Sequence, residues 1–123
     1  MYKILVCDDD RDIVSALEIY LKAEGYQVEK AYNGQEALAC VEREEIHLVL
    51  MDIMMPVMDG LEATREIRTM NRSDASAVVI IAMTANAFTE DKTKALKSGM
   101  DDYLTKPLES EKLIRALSRY KHN

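Results

Sequence analysis

Four short apolar runs punctuate the chain, and each ends on a polar residue. Ile4-Leu5-Val6-Cys7 leads into Asp8-Asp9-Asp10, Leu48-Val49-Leu50-Met51 into Asp52, Val78-Val79-Ile80-Ile81-Ala82-Met83 into Thr84, and the weaker Tyr103-Leu104 into Thr105-Lys106. Runs this short and this uniformly apolar predict strands buried on both faces, as in a parallel sheet. A more polar strand is predicted over 26–31, where weak alternation suits a sheet edge. Ile13, Val14, Leu17, Tyr20 and Leu21 recur at helical spacing, and Gly25 closes that helix as a C-terminal cap. Asn33-Gly34 marks a turn before a second helix, 35–44, with Ala37, Leu38 and Val41 inward. A third helix is predicted over 61–70. Thr89 is the expected N-cap of a fourth, ended by Gly99, and Ser110 that of a fifth, whose apolar positions are Leu113, Ile114 and Leu117. Pro56 and Gly60 mark 53–60 as a loop, and polar 71–77 reads as another. Five strands alternating with five helices predict an α/β fold whose parallel sheet is covered on both faces.

Composition narrows the class. The chain has 123 residues, 48% hydrophobic and 31% charged, which suits one domain spanning 1–123. No apolar stretch approaches the roughly 20 residues of a membrane span. The chain enters its first strand at once, so no signal peptide and a cytoplasmic location are expected. A net charge of −6 disfavours direct binding to nucleic acid. Cys7 and Cys40 are expected to remain reduced rather than paired.

The polar residues past the apolar runs carry the chemistry. In open α/β sheets, ligands bind beyond the carboxyl ends of the strands. Asp8 and Asp9 brought near Asp52 repel one another unless a cation intervenes. A few hard oxygen ligands suit Mg²⁺, which keeps several waters and also holds phosphate oxygens. Asp52 then has two readings, metal ligand or nucleophile toward a phosphoryl group. Lys106 offers a point charge and Thr84 a hydroxyl donor for phosphoryl oxygens. No residue reads as a base driving fast turnover, so the site is expected to accept a group and hold it. Asp10 and Asp12 begin a helix, where acidic residues are favoured anyway, and Asp10 is read as structural. Most of the methionines are read as core, except Met54, two residues past Asp52. His47 and His122 stand apart from these motifs.

With these motifs in place, the chain strongly resembles the receiver domain of bacterial two-component response regulators. The matching segments are Asp8-Asp9, Asp52-Ile53-Met54-Met55-Pro56-x-Met58-Asp59-Gly60, Met83-Thr84-Ala85 and Gly99-Met100-Asp101-Asp102-Tyr103-Leu104-Thr105-Lys106-Pro107. The resemblance implies a flavodoxin-like (chemotaxis-type) fold with sheet order 2-1-3-4-5. It makes Asp52 the phosphoacceptor, supplied by a sensor histidine kinase or a histidine phosphotransfer protein. It implies Mg²⁺ on Asp9, Asp52 and the backbone carbonyl of Met54, with Asp8 acting through water. Thr84 and Lys106 are implied as phosphoryl ligands, Tyr103 as an aromatic switch coupled to Thr84, and Lys106–Pro107 as a cis peptide. The output face is implied to be helix 4, strand 5 and helix 5, with homodimerisation as one consequence of activation. The flanks are mixed: the first half looks like receivers of winged-helix transcription factors, the second like those of hybrid histidine kinases.

Two other functions compete. A haloacid-dehalogenase-type phosphatase carries its nucleophile in an Asp-x-Asp motif after the first strand, which Asp8-Asp9-Asp10 imitates. Asp12, however, replaces the Thr or Val expected there, and the length leaves no room for a cap domain. A degenerate receiver acting only as an interaction module would have lost an Asp or the Lys, and none is lost. The expectation is therefore a switch rather than an enzyme, catalysing only its own phosphorylation and dephosphorylation.

Overall fold

A computed structural model describes residues 2–55, 58–70, 78–85 and 89–120, with side chains at 89–92 excepted. Strands and helices alternate through them: β1 (Lys3–Cys7), α1 (Arg11–Ala23), β2 (Gln27–Ala31), α2 (Gly34–Arg43), β3 (Leu48–Asp52), α3 (Gly60–Arg68), β4 (Val79–Thr84), α4 (Thr89–Ser98), β5 (Asp102–Thr105) and α5 (Ser110–Tyr120). All neighbouring strands are parallel, in the order β2-β1-β3-β4-β5. The chain reverses its direction of travel across the sheet between β1 and β3, which opens a crevice at their carboxyl ends.

Strand periodicity divides the core in two. Leu5, Cys7, Val49, Met51, Ile80 and Ala82 face α2, α3 and α4, meeting Ala37, Val41, Ala63, Ile67 and Ala95. Their neighbours Ile4, Val6, Leu48, Leu50, Ile81 and Met83 face α1 and α5, meeting Val14, Leu17, Leu21, Leu113 and Leu117. Being covered on both sides is what makes β1, β3 and β4 continuous apolar runs. Strand β2 lies at the edge, as its polarity predicts, with Gln27 and Lys30 exposed.

Local signals fix most boundaries. Gly25 takes a left-handed φ of 93° after α1. Tyr26 N–H donates to Leu21 O and Gly25 N–H to Lys22 O, the paired bonds of a Schellman motif. Asn33 caps α2 by accepting from Glu36 N–H at 2.9 Å, while Glu36 accepts from Tyr32 N–H at 2.9 Å, a variant of the capping box.

Two expectations need correction, and one apolar position of α5 lies off the core. Thr89 and Ser110 are the first residues of their helices, not the caps. At α5, Leu113 N–H donates to Glu109 O at 3.0 Å, so Glu109 holds the cap position. Ile114 is 41% exposed, because the buried stripe of α5 runs through Leu113, Ala116 and Leu117 and leaves its neighbour off the seam. The segment 71–77 and residues 86–88 lie outside the described residues.

One tie escaped the sequence reading. Arg68, at the end of α3, donates from Nε to Gly99 O (2.9 Å), from Nη1 to Val78 O (2.6 Å) and from Nη2 to Asp101 Oδ2 (2.8 Å). Asp101 Oδ2 also accepts from Ile80 N–H at 2.8 Å, so one guanidinium joins α3, β4 and the turn before β5. Nothing in the spacing of Arg68 marks it among the chain's other basic residues.

Candidate functional site

The residues that end β1, β3, β4 and β5 meet at the crevice. Asp8 follows β1 and is fully buried; its amide donates to Ala31 O, and its Oδ1 accepts from Asp10 N–H at 3.0 Å. Asp52 is the last residue of β3 and Thr84 the last of β4, and both are buried. Lys106 follows β5, its amide donating to Thr84 O at 2.8 Å, and the peptide to Pro107 is cis. Lys106 Nζ lies 2.7 Å from Asp8 Oδ2 and 3.4 Å from Asp52 Oδ1. Asp9 is exposed beside them. Asp10 caps α1, its carboxylate accepting from the amides of Asp12 and Ile13, as the structural reading holds.

Electrostatics follow from this crowding. Burial, then the neighbouring Asp8 carboxylate, pushes the Asp52 carboxyl up from 3.8 to about 7, against the pull of Lys106 and the Met54 amide. Burial alone lowers the Lys106 pKa; hydrogen bonding to Asp8 and the charges of both carboxylates outweigh it and leave the ammonium raised. One ammonium thus serves two carboxylates, Asp8 and Asp52, and a third from Asp9 brings an oxygen within 4.8 Å of one from each. Asp8 Oδ2 is buried, with the Lys106 ammonium 2.7 Å away as its partner. Hard oxygen donors and excess negative charge fit a small divalent cation such as Mg²⁺.

A second cluster does not. Glu29, Cys40 and Glu44 also approach one another, but Lys3 Nζ already sits 2.7 Å from Glu44 Oε1. Burial pushes the Cys40 thiol up to about 11, so it stays protonated and a poor ligand at neutral pH. Both cysteines are free.

Met54 presents its side chain to solvent at 79% exposure, so whatever it contributes to the site comes from its backbone. Tyr103 is half-buried, packed against the core on the α2–α4 side and not standing free in solvent.

Residues 4–118 match the response regulator receiver domain family. The chain belongs to that family. This receiver is 41% identical to a segment of hybrid signal transduction histidine kinase B of Dictyostelium discoideum, over 96% of its own length and 6% of the kinase. It is also 41% identical to the regulatory protein VanR of Enterococcus faecium, over 97% of its length and 51% of VanR. It therefore spans about half, or far less, of these relatives. Among solved structures it is similar to the receiver domain of sensor histidine kinase PA1611 of Pseudomonas aeruginosa, with magnesium coordinated in the active-site cleft: TM-score 0.88, 39% identity, 97% and 96% coverage. It is similar, too, to the receiver of Saccharomyces cerevisiae Ssk1 in complex with the histidine phosphotransfer protein Ypd1: TM-score 0.90, 32% identity, 97% and 88% coverage. The five-stranded receiver fold and its strand order are those expected. No helix among the described residues is long and apolar enough to cross a membrane.

The sequence reading missed what holds the loop after Asp52. Gly60 N–H donates to Ile53 O at 3.0 Å, and a Cβ on Gly60 would overlap the Asp52 carbonyl oxygen. Only glycine lets α3 start this close to the end of β3. Across the loop, Gly34 N–H donates to Met58 O at 3.0 Å. Two Asx-Gly pairs, each with the Asx as cap and the Gly opening a helix, were the available signal.

Proposed function

We propose that this receiver is a phosphorylation-controlled signalling switch, a single domain over 1–123, in which Asp52 accepts a phosphoryl group from a phosphohistidine. The observation that carries the reading is Asp52 at the carboxyl end of β3, 3.4 Å from Lys106 and flanked by Asp8 and Asp9. An Asp52 carboxylate oxygen attacks phosphorus, the P–N bond breaks, and the departing imidazole keeps the electron pair and takes up a proton. Lys106 balances charge on the phosphoryl oxygens, and Asp8, bonded to it, fixes the ammonium in place. The Thr84 hydroxyl donates to a phosphoryl oxygen. Asp9, Asp52 and the Met54 carbonyl would hold Mg²⁺, with Asp8 acting through water, and the bound ion would neutralise the transferring group.

Donors of this chemistry are a sensor histidine kinase or a histidine phosphotransfer protein, and a cytoplasmic setting suits both. The α4–β5–α5 face is the output surface, Tyr103 its switch, and homodimerisation or partner binding the consequence. The acidic surface argues against direct contact with nucleic acid. The phosphatase alternative loses support because both Asp8 oxygens are engaged, Oδ1 by Asp10 N–H and Oδ2 by Lys106, in a residue with no exposed surface.

Acetyl phosphate with Mg²⁺ should add one base-labile phosphoryl group, and EDTA should prevent it. A chromogenic phosphate ester should show almost no turnover. Sustained hydrolysis of the ester, or no uptake at saturating Mg²⁺, overturns the reading.

A further inference from the structure

Mg²⁺ tolerates little error in the placement of its oxygens, since it demands near-ideal octahedral geometry. A backbone carbonyl can serve only if its loop is held firmly, and the loop after β3 is gripped from two sides. On the sheet side, Ile53 N–H donates to Met83 O at 3.2 Å. On the other side lies the turn before α2. Gly34 N–H donates to Met58 O at 3.0 Å. The Cys7 thiol, at the end of β1, donates to Asn33 O at 3.3 Å and meets Met55 Sδ at 3.4 Å.

Gly34 does not need to be glycine for its φ, because it opens a helix and only Gly25 and Gly99 take positive values among the described residues. Contact is what requires it. A Cβ at 34 would overlap the Met58 carbonyl oxygen and come within 2.8 Å of Met58 Cγ and 2.9 Å of Met58 C. Two of the three atoms are backbone, so no rotamer change relieves the collision, and the segment carrying Met58 must retreat.

We propose that the Asn33–Gly34 turn is a positioning element of the phosphoryl-accepting site: it seats the loop after β3 and so sets the position of the Met54 carbonyl. The inference rests on the function proposed above and adds a residue set outside the motifs that define it. Asn33 and Gly34 touch neither cation nor phosphoryl group. They act through Met58 and Met55.

The test compares Mg²⁺ dissociation constants for wild type, Gly34→Ala and Cys7→Ala, from two-dimensional NMR titration of backbone amides, with melting in EDTA as a check on folding. Gly34→Ala should weaken Mg²⁺ binding roughly tenfold, since displacements well under 1 Å are costly at such sites. The rate of labelling by acetyl phosphate should fall at low Mg²⁺ and recover at high Mg²⁺. Cys7→Ala inserts no atom, releases Met55 and leaves Asn33 O with only its bond from Ala37 N–H, and should weaken binding about threefold. A purely structural role would lower the melting temperature of a variant and leave its dissociation constant unchanged. An unchanged constant in Gly34→Ala overturns the proposal. If that variant does not fold, an unchanged constant in Cys7→Ala does so instead. Should wild type bind Mg²⁺ but take no phosphoryl group, the proposed function fails while the titration still decides this inference.

Discussion

Asp52→Asn takes up no phosphoryl group from acetyl phosphate, and in EDTA at about pH 7.5 it melts roughly 5 °C or more above wild type. The first effect follows from loss of the nucleophile. The second follows from the crowding of Asp8, Asp9 and Asp52 around one ammonium. Burial and the Asp8 charge hold the folded Asp52 carboxyl at about 7 rather than 3.8, so the folded chain binds more protons than the unfolded chain between those values. Metal-free stability therefore falls as pH rises across that window and levels off above about 7. The rise from 3.8 to about 7 sets a ceiling near 4 kcal/mol, and solvent in the open cleft reduces it to about 1–3 kcal/mol. The asparagine amide keeps the volume and removes the charge. Lys106 is not stranded, because Asp8 remains 2.7 Å away. Melting curves in EDTA from pH 5 to 8 should show a downward slope for wild type and a flatter line for Asp52→Asn. Mg²⁺ should narrow the gap, since it stabilises the protein that binds it. A variant that melts below wild type throughout would mean that Asp52 is a net stabilising partner of Lys106.

Thr84→Ala should leave occupation of Asp52 intact and disconnect it from the output face. A phosphoryl group on Asp52 would offer the buried Thr84 hydroxyl a charge-assisted hydrogen bond to a phosphoryl oxygen, and a contact that differs between states is what shifts a two-state equilibrium. Thr84 pairs in register with Thr105, and Ala82 with Tyr103, so movement at the end of β4 reaches the Tyr103 backbone directly. Because its ring is already half-buried, the inward movement is shorter than a swing from solvent. Beryllofluoride with Mg²⁺ should shift the amide signals of Thr84, Ala85 and Tyr103 in wild type. In Thr84→Ala the mimic should still bind, while the Tyr103 shift falls by more than half and any dimerisation through this face weakens. A full Tyr103 response in the variant would route the switch through other residues.

Most of the fold, and the strand ends at which the candidate site residues meet, were legible in the sequence, for physical reasons. A parallel strand buried on both faces writes itself as an unbroken apolar run, so β1, β3 and β4 and the polar residues at their ends were visible. Gly25 announced its left-handed cap. What was hidden depends on contact between distant segments. Gly34 and Gly60 read as turn residues, yet each is required by a carbonyl oxygen pressed against its Cα, Met58 O in one case and Asp52 O in the other. Arg68 looked like any exposed basic residue until β4 and the turn before β5 closed around it. Ile114 illustrates the limit of periodicity, since Leu113, Ala116 and Leu117 fill the buried stripe of α5 at i, i+3 and i+4 and the residue at i+1 falls off it.

The central claim, that Asp52 carries the phosphoryl group, is tested most directly by trapping the acyl phosphate. Protein labelled with acetyl phosphate and Mg²⁺ is reduced with borohydride, which converts a phosphorylated aspartate to homoserine, and the position is read by peptide mass spectrometry. Homoserine at position 52, dependent on Mg²⁺, is the expected result. Homoserine at Asp8 or Asp9, with Asp52 unmodified, would contradict the assignment.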